Sequence, residues 1–179
     1  QCAMVRGAEV TLVTGRSAIE PPPFVKVVPV VSAQDMFDAV KACYSGMDFI
    51  IKSAAVADYT PVTTAVEKIK KKDDDLSIPL KRTPDILKYL GEHRRPGQVI
   101  CGFAMETENL IENATKKLES KKVDLIVANN LKVAGAGFGT DTNVVTLIEK
   151  TGIRELPLLS KEKVAKALLD EMLVMLDRP

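Results

Sequence analysis

Cysteine is scarce in this chain. Cys2, Cys43 and Cys101 are odd in number and have no CxxC spacing, which excludes a disulfide scaffold or a zinc knuckle and makes a reducing cytoplasm the expected compartment. Charge of one sign is also missing. The 25 Lys and Arg and 24 Asp and Glu leave a net charge of +1, so the whole-molecule field gives no attraction to nucleic acid or to an anionic membrane. Any anion must be held locally. No apolar run reaches the roughly 18 residues that a membrane span needs. Residues 1–7 carry no basic flank and apolar core of a signal peptide, so a soluble protein is expected. The sole histidine, His93, lies in a polar Glu-His-Arg-Arg-Pro segment and has no second histidine with which to build a triad or a metal site. It is expected at the surface.

What is present is the composition of one ordinary domain with a real core: 179 residues, 46% of them hydrophobic and 27% charged. The opening residues read as the end of a helix stopped at Gly7, so a segment upstream is expected. Residues 8–14 (AEVTLVT) and 24–31 form two β-branched apolar runs, separated by Pro21, Pro22 and Pro23. Ser32 is suited to cap a helix carrying Met36, Phe37, Ala39 and Val40 and ending near Gly46. A strand over 49–53 follows. The same rhythm continues with a short helix capped at Thr83-Pro84 and reaching Leu90, a strand over 99–103, a helix over 107–121 and a strand over 123–128. Strands alternating with helices predict an α/β fold with a mostly parallel sheet flanked by helices. After Asn130 comes a Gly-rich loop, then a hairpin of strands 144–149 and 153–156 turning at Thr151-Gly152. An amphipathic helix over 160–176 closes the chain, with Val164, Ala167, Leu168, Met172 and Leu173 on its apolar stripe. Residues 61–75, around Lys-Ile-Lys-Lys-Lys-Asp-Asp-Asp, lack periodicity and predict a mobile loop.

In open α/β sheets ligands sit at the carboxyl ends of the strands, and four segments follow strands or open helices there. In Lys52-Ser53-Ala54-Ala55-Val56-Ala57-Asp58-Tyr59, small residues admit a ligand to the backbone and Asp58 could accept from a hydroxyl or hold a metal. A small-residue turn with a solvated Asp explains it equally well. Glu67-Lys68-Ile69-Lys70-Lys71-Lys72 could close ammonium groups over a phosphate, although a charge run is more often a solvated loop. Thr83-Pro84-Asp85-Ile86 opens a helix whose free N–H groups suit an anion or a base edge, while most such starts are only caps. In Gly102-Phe103-Ala104-Met105-Glu106-Thr107 the ring of Phe103 could stack on a base, with Lys117 and Lys121 one turn apart on the next helix and able to reach phosphates. A core Phe and a wet helix face is the alternative. Gly135-Ala136-Gly137-Phe138-Gly139 looks like a dinucleotide fingerprint, but a strand follows where that motif requires a helix. A plain loop is the better reading.

Taken in order, the strings AAVADY, EKIKK, TPDIL, GFAMETENL, KKVDLIVANN, GAGFGTDTN and ELPLLSKEKVA resemble the bacterial phosphopantothenoylcysteine synthetases, over essentially the whole chain. The resemblance implies one synthetase domain over 1–179, Rossmann-like, with the C-terminal hairpin as a dimerisation element. The implied activity is CTP-dependent activation of 4'-phosphopantothenate to an acyl-cytidylate, which cysteine then converts to an amide with release of CMP. Lys68 matches the family's catalytic loop lysine and also a CTP contact. Lys52, Ser53, Ala54 and Asp58 match a first nucleotide-binding stretch, and Ala55 a contact to the acyl substrate. Pro84, Asp85, Ile86 and Leu87 match a backbone stretch that contacts CTP, and Phe103, Lys117 and Lys121 match further CTP contacts. A divalent cation such as Mg2+ is implied, with its ligands unassigned, as is a homodimer. FMN is not expected of this domain, nor are nucleic-acid or membrane partners. The family's Gly-rich first strand and its Asn-x-Ser-Ser-Gly segment have no counterpart here. Two other readings stay open: a catalytically silent nucleotide-binding or dimerisation module, and an NAD(P)-binding Rossmann-type reductase.

Overall fold

The computed structural model describes residues 1–70, 75–106, 108–130 and 139–176. In chain order its elements are α1 (Cys2–Val5), β1 (Thr11–Thr14), β2 (Lys26–Pro29), α2 (Ala33–Cys43), β3 (Phe49–Lys52), β4 (Tyr59–Pro61), β5 (Leu80–Arg82), α3 (Ile86–His93) and β6 (Val99–Glu106), then α4 (Leu110–Lys121), β7 (Leu125–Asn130), β8 (Thr142–Asn143), β9 (Val145–Glu149), β10 (Gly152–Glu155), β11 (Leu159–Ser160) and α5 (Lys161–Leu176). Five strands make the central sheet, in the order β10-β9-β7-β6-β3. β3, β6 and β7 run parallel, while β9 and β10 are added antiparallel on the β7 side. β1 and β2 form a separate parallel pair.

Period-2 alternation sorts the sheet's side chains onto two faces. Ile100, Ala104, Ile126, Ala128 and Ile148 pack with Ile86, Leu87 and Leu90 of α3 and with Ala114 and Leu118 of α4, and Met36, Phe37 and Val40 of α2 lean on the same cluster. Val99, Cys101, Leu125, Val127, Val145 and Leu147 pack with Val164, Leu168 and Met172 of α5 on the other face. Helices therefore cover both faces of a parallel core, as the alternation of strand and helix predicts. Gly102 lets α3 come this close. A Cβ there would stand 2.5 Å from Leu87 Cδ2 and 3.0 Å from Ile126 Cδ1.

Local chemistry sets the helix starts. Ser32 Oγ accepts from Asp35 N at 3.1 Å and the Asp35 carboxylate accepts from Ser32 N at 2.9 Å, a complete capping box for α2. α3 is capped by Asp85, not by Thr83-Pro84, and runs three residues beyond Leu90. α4 starts at Leu110 behind Asn109, later than the expected 107, because Asn109 is held in the left-handed region at φ 49. The first two strands are shorter than their apolar runs. Phe24 at φ 66 breaks the second run before β2 begins.

The segment expected as one loop over 61–75 is instead anchored by an antiparallel ribbon, β4 with β5, in which Tyr59 faces Arg82 and Pro61 faces Leu80. Residues 71–74 of that segment lie outside the described residues. The C-terminal hairpin forms as expected, but β9 is an interior strand with Val145, Leu147 and Ile148 buried. Of the hairpin's two strands it is β10, exposed along its length and paired on one side, that stands at an edge of the sheet, with β3 at the other. In α5 the stripe includes Val164, Leu168 and Met172, yet Leu169 is buried where Leu173 was expected, and Leu173 is 43% exposed. Leu169 and Leu173 are one turn apart on the same side of the helix, so the packed face is the expected one and its outer edge is buried one turn earlier. His93 is exposed, its ring stacked on Tyr89 at 4.2 Å. Of the Gly-rich loop only Gly139 lies within the described residues, in the left-handed region at φ 72.

Candidate functional site

Lys52 is the last residue of β3, and its Nζ donates to the carbonyl of Ala54 at 2.8 Å. That bond curls the small-residue segment 53–57 over the strand end, leaving Ser53, Ala54, Ala55 and Asp58 exposed. Thr83 ties this segment to the next. Its Oγ1 donates to Ala57 O at 2.6 Å and its N–H to Asp58 O at 3.0 Å, so the loop after β3 and the entry to α3 form one wall.

At the start of α3, Asp85 uses both carboxylate oxygens. Oδ1 accepts from Lys88 N at 3.0 Å, which caps the helix, and Oδ2 accepts from Lys121 Nζ at 2.5 Å, across to α4. Lys117, one turn before Lys121, donates to Phe103 O at 3.2 Å. Pro84 is half-buried, and the Ile86 and Leu87 side chains are in the core. These three can meet a ligand only through the main chain or the proline ring.

Electrostatics shows these groups to be neighbours. Burial pushes the Lys52 ammonium below its ordinary range; the charges of Lys117 and Lys121 push the same way, and Asp85 and Asp58 pull against them. Asp85 is held below the ordinary carboxylate range. Burial works to raise it, but the Lys121 hydrogen bond, the Lys88 N–H and the charges of Lys121 and Lys52 together outweigh burial. Three ammonium groups from β3 and α4 thus converge on two carboxylates at the carboxyl end of the parallel strands. Such a place can neutralise a polyanion.

Two candidates stand apart. Phe103 belongs to the opposite parity of β6, and its ring packs against the cluster under α5, so only its carbonyl reaches the lysine side. Lys68 is exposed between β4 and β5 and forms no hydrogen bond or ion pair with a described residue; the structure does not bring it to the three lysines. Lys71 and Lys72 lie outside the described residues. Sequence reasoning missed Thr83 as a tie and Gly91 as a contact. A Cβ on Gly91 would stand 1.9 Å from the Lys121 carbonyl oxygen. The readable signal was a glycine inside a helix, where it is disfavoured unless space demands it.

Among the described residues no group of three or more His, Cys, Asp and Glu could hold a metal ion by itself. Among the described residues no helix is long and apolar enough to cross a membrane.

Comparison with known proteins finds relatives over nearly the whole chain. The family model for the DNA/pantothenate metabolism flavoprotein C-terminal domain matches residues 1–175. The chain is 47% identical over 174 residues to the coenzyme A biosynthesis bifunctional protein CoaBC of Bacillus subtilis, covering 96% of this chain and 43% of that protein. It is 41% identical over 175 residues to CoaBC of Escherichia coli K12, again 96% of this chain and 43% of the relative. The chain therefore spans less than half the length of these relatives. Among solved structures, the C-terminal domain of CoaBC superposes with a TM-score of 0.81 at 46% identity, covering 98% of this chain and 80% of that one. A complex of the Cab2 H337A mutant with phosphopantothenate-cysteine superposes at 0.66 with 19% identity, covering 86% and 53%, a likeness of fold. On the length of the family match and on these identities, the chain belongs to the DNA/pantothenate metabolism flavoprotein C-terminal domain family.

Proposed function

We propose that this chain is the phosphopantothenate-cysteine ligase part of a coenzyme A biosynthesis protein, using CTP as the activating nucleotide. The observation that carries the reading is the convergence of Lys52, Lys117 and Lys121 with Asp58 and Asp85 at the strand ends, in a chain 47% identical to CoaBC of Bacillus subtilis. In this reaction the 4'-phosphopantothenate carboxylate attacks the α-phosphorus of CTP, pyrophosphate leaves, and the cysteine amine displaces CMP from the acyl-cytidylate to form the amide. The lysines would bind the triphosphate and stabilise the charge that builds on it, and the backbone of residues 84–87 would contact the nucleotide. Asp58 keeps a carboxylate that makes no hydrogen bond to a described residue, so it fits as the single protein ligand of a Mg2+ ion carried by the triphosphate; that ion supplies further charge neutralisation when bound. Ala55 would line the acyl side.

Lys68 is assigned the catalytic charge-stabilising role from its sequence match, in the connection between β4 and β5. This requires the loop to close over bound nucleotide. The ligase acts as a homodimer in this reading, with β10 as the edge available to a second copy. The test is pyrophosphate release from CTP, Mg2+, phosphopantothenate and cysteine. Wild-type protein should release it, and Lys68→Ala should lose nearly all of the rate with an unchanged melting temperature. Full turnover by Lys68→Ala would remove Lys68 from the chemistry, and no release by a wild type that carries the upstream Asn-x-Ser-Ser-Gly segment would sink the ligase reading.

A further inference from the structure

Gly91 lies inside α3 and has no need of positive φ, which among the described glycines is adopted by Gly7, Gly97 and Gly139. Space is what it supplies. An added Cβ would meet Lys121 O at 1.9 Å, Lys122 O at 2.9 Å and Lys121 C at 3.0 Å. All three are main-chain atoms that cannot swing aside, unlike the Leu87 and Ile126 side-chain tips that face Gly102. Lys121 is the last residue of α4. Its carbonyl belongs to the final turn, which the helix's own N–H groups leave unpaired, and α3 packs directly on it. The ammonium of the same lysine is taken by Asp85, the N-cap of α3.

We propose that α3 clamps Lys121 at both ends, with Gly91 as a positioning residue that seats its carbonyl so that its ammonium meets Asp85 beside Lys52 and Lys117. The clamp rests on the reading of that lysine cluster as the nucleotide site. Restoring an ordinary contact of 3.4 Å at Gly91 requires α3 and the end of α4 to part by about 1.5 Å. A 2.5 Å bond between Lys121 and Asp85 does not survive that displacement unless the side chain re-extends. The lysine is then displaced from the charge pattern that the nucleotide would meet, and a misplacement of this size is enough to weaken binding steeply.

A merely structural glycine would lower stability and affinity without regard to Lys121. The clamp predicts dependence on it. CTP affinity is measured by calorimetry in four proteins: wild type, Gly91→Ala, Lys121→Met and the double variant. Gly91→Ala should weaken CTP about tenfold in the wild-type background and less than about twofold in the Lys121→Met background, while its loss of melting temperature is the same in both. Equal weakening in both backgrounds, or none in either, overturns the proposal. Should Gly91→Ala not fold, Asp85→Asn probes the other end of the clamp. It keeps a capping oxygen; because its charge also acts on Lys52, its effect on CTP should shrink beside Lys121→Met, and an effect of unchanged size overturns the proposal. A wild type that binds ATP or NADPH in place of CTP defeats the functional reading alone, and the cycle is then run with that nucleotide. A wild type that binds none of the three defeats both.

Discussion

Asp85 is the residue whose loss should separate folding from charge. Its carboxylate caps α3 through Lys88 N at 3.0 Å and pairs with Lys121 at 2.5 Å. Asp85→Ala removes both. Loss of an N-cap acceptor costs about 0.5–2 kcal/mol. The ion pair, whose side chains are 26% and 44% exposed, contributes about 0–1 kcal/mol in such a setting. The variant should therefore lose roughly 0.5–3 kcal/mol, which for a domain of this size lowers the melting temperature by about 1–12 °C. Asp85→Asn keeps an oxygen for the cap and loses only the charge, so it should lose at most about 1 kcal/mol. Calorimetric melts of the two variants read the difference. Equal losses, or no loss in Asp85→Ala, would refute the assignment of the cap. The pH dependence has a fixed sign. Because the folded-state value of Asp85 lies below 3.8, its charged contribution is fully present above the unfolded value and disappears as pH falls through the folded one. The stability gap between wild type and Asp85→Asn should accordingly close in acid, below pH 3.8, and stay constant from pH 5 upward to neutrality.

Lys52→Met should stabilise the nucleotide-free protein, because burial and then the repulsion of Lys117 disfavour an ammonium there, and should weaken CTP binding. The wild type should regain stability relative to the variant as pH rises from the depressed folded value of Lys52 to 10.5, and a lower urea midpoint for Lys52→Met at pH 7 would contradict this account. Leu118→Ala, at a side chain 1% exposed between α4 and the sheet, should cost about 2–5 kcal/mol in urea unfolding; a loss under about 1 kcal/mol would contradict the placement of α4.

The parts of the fold that were legible are those decided by a residue and its near neighbours. Ser32 with Asp35 three residues on signals a helix start, and the capping box forms. Apolar runs and their spacing located β3, β6, β7 and β9 because helices cover both faces of the sheet in which they lie. What was not legible depends on partners far along the chain. Tyr59–Pro61 and Leu80–Arg82 are short and polar, and only their pairing across the intervening segment makes them strands. The choice of Leu169 over Leu173 in α5, one turn apart on the same side of the helix, turns on where along its length the helix is covered, which tertiary packing sets. Gly91 gave a signal, but its meaning lay in a carbonyl thirty residues later.

Phe103 bears most directly on how a nucleotide could sit in this site. Residues 99, 101 and 103 share the α5 face of β6, and residues 100 and 104 face α3 and α4. A base stacked on the Phe103 ring and phosphates held by Lys117 and Lys121 would therefore lie on opposite sides of the sheet. One ligand can satisfy both only by crossing the sheet beyond its carboxyl edge, and β6 continues three residues past Phe103 to Glu106. The alternative is that Phe103 contributes its main chain and its ring serves the core. A smaller side chain distinguishes them. Phe103→Leu keeps an apolar filling and the carbonyl, so it preserves CTP affinity if only the backbone takes part, and weakens it by about 1 kcal/mol or more if the ring carries the base.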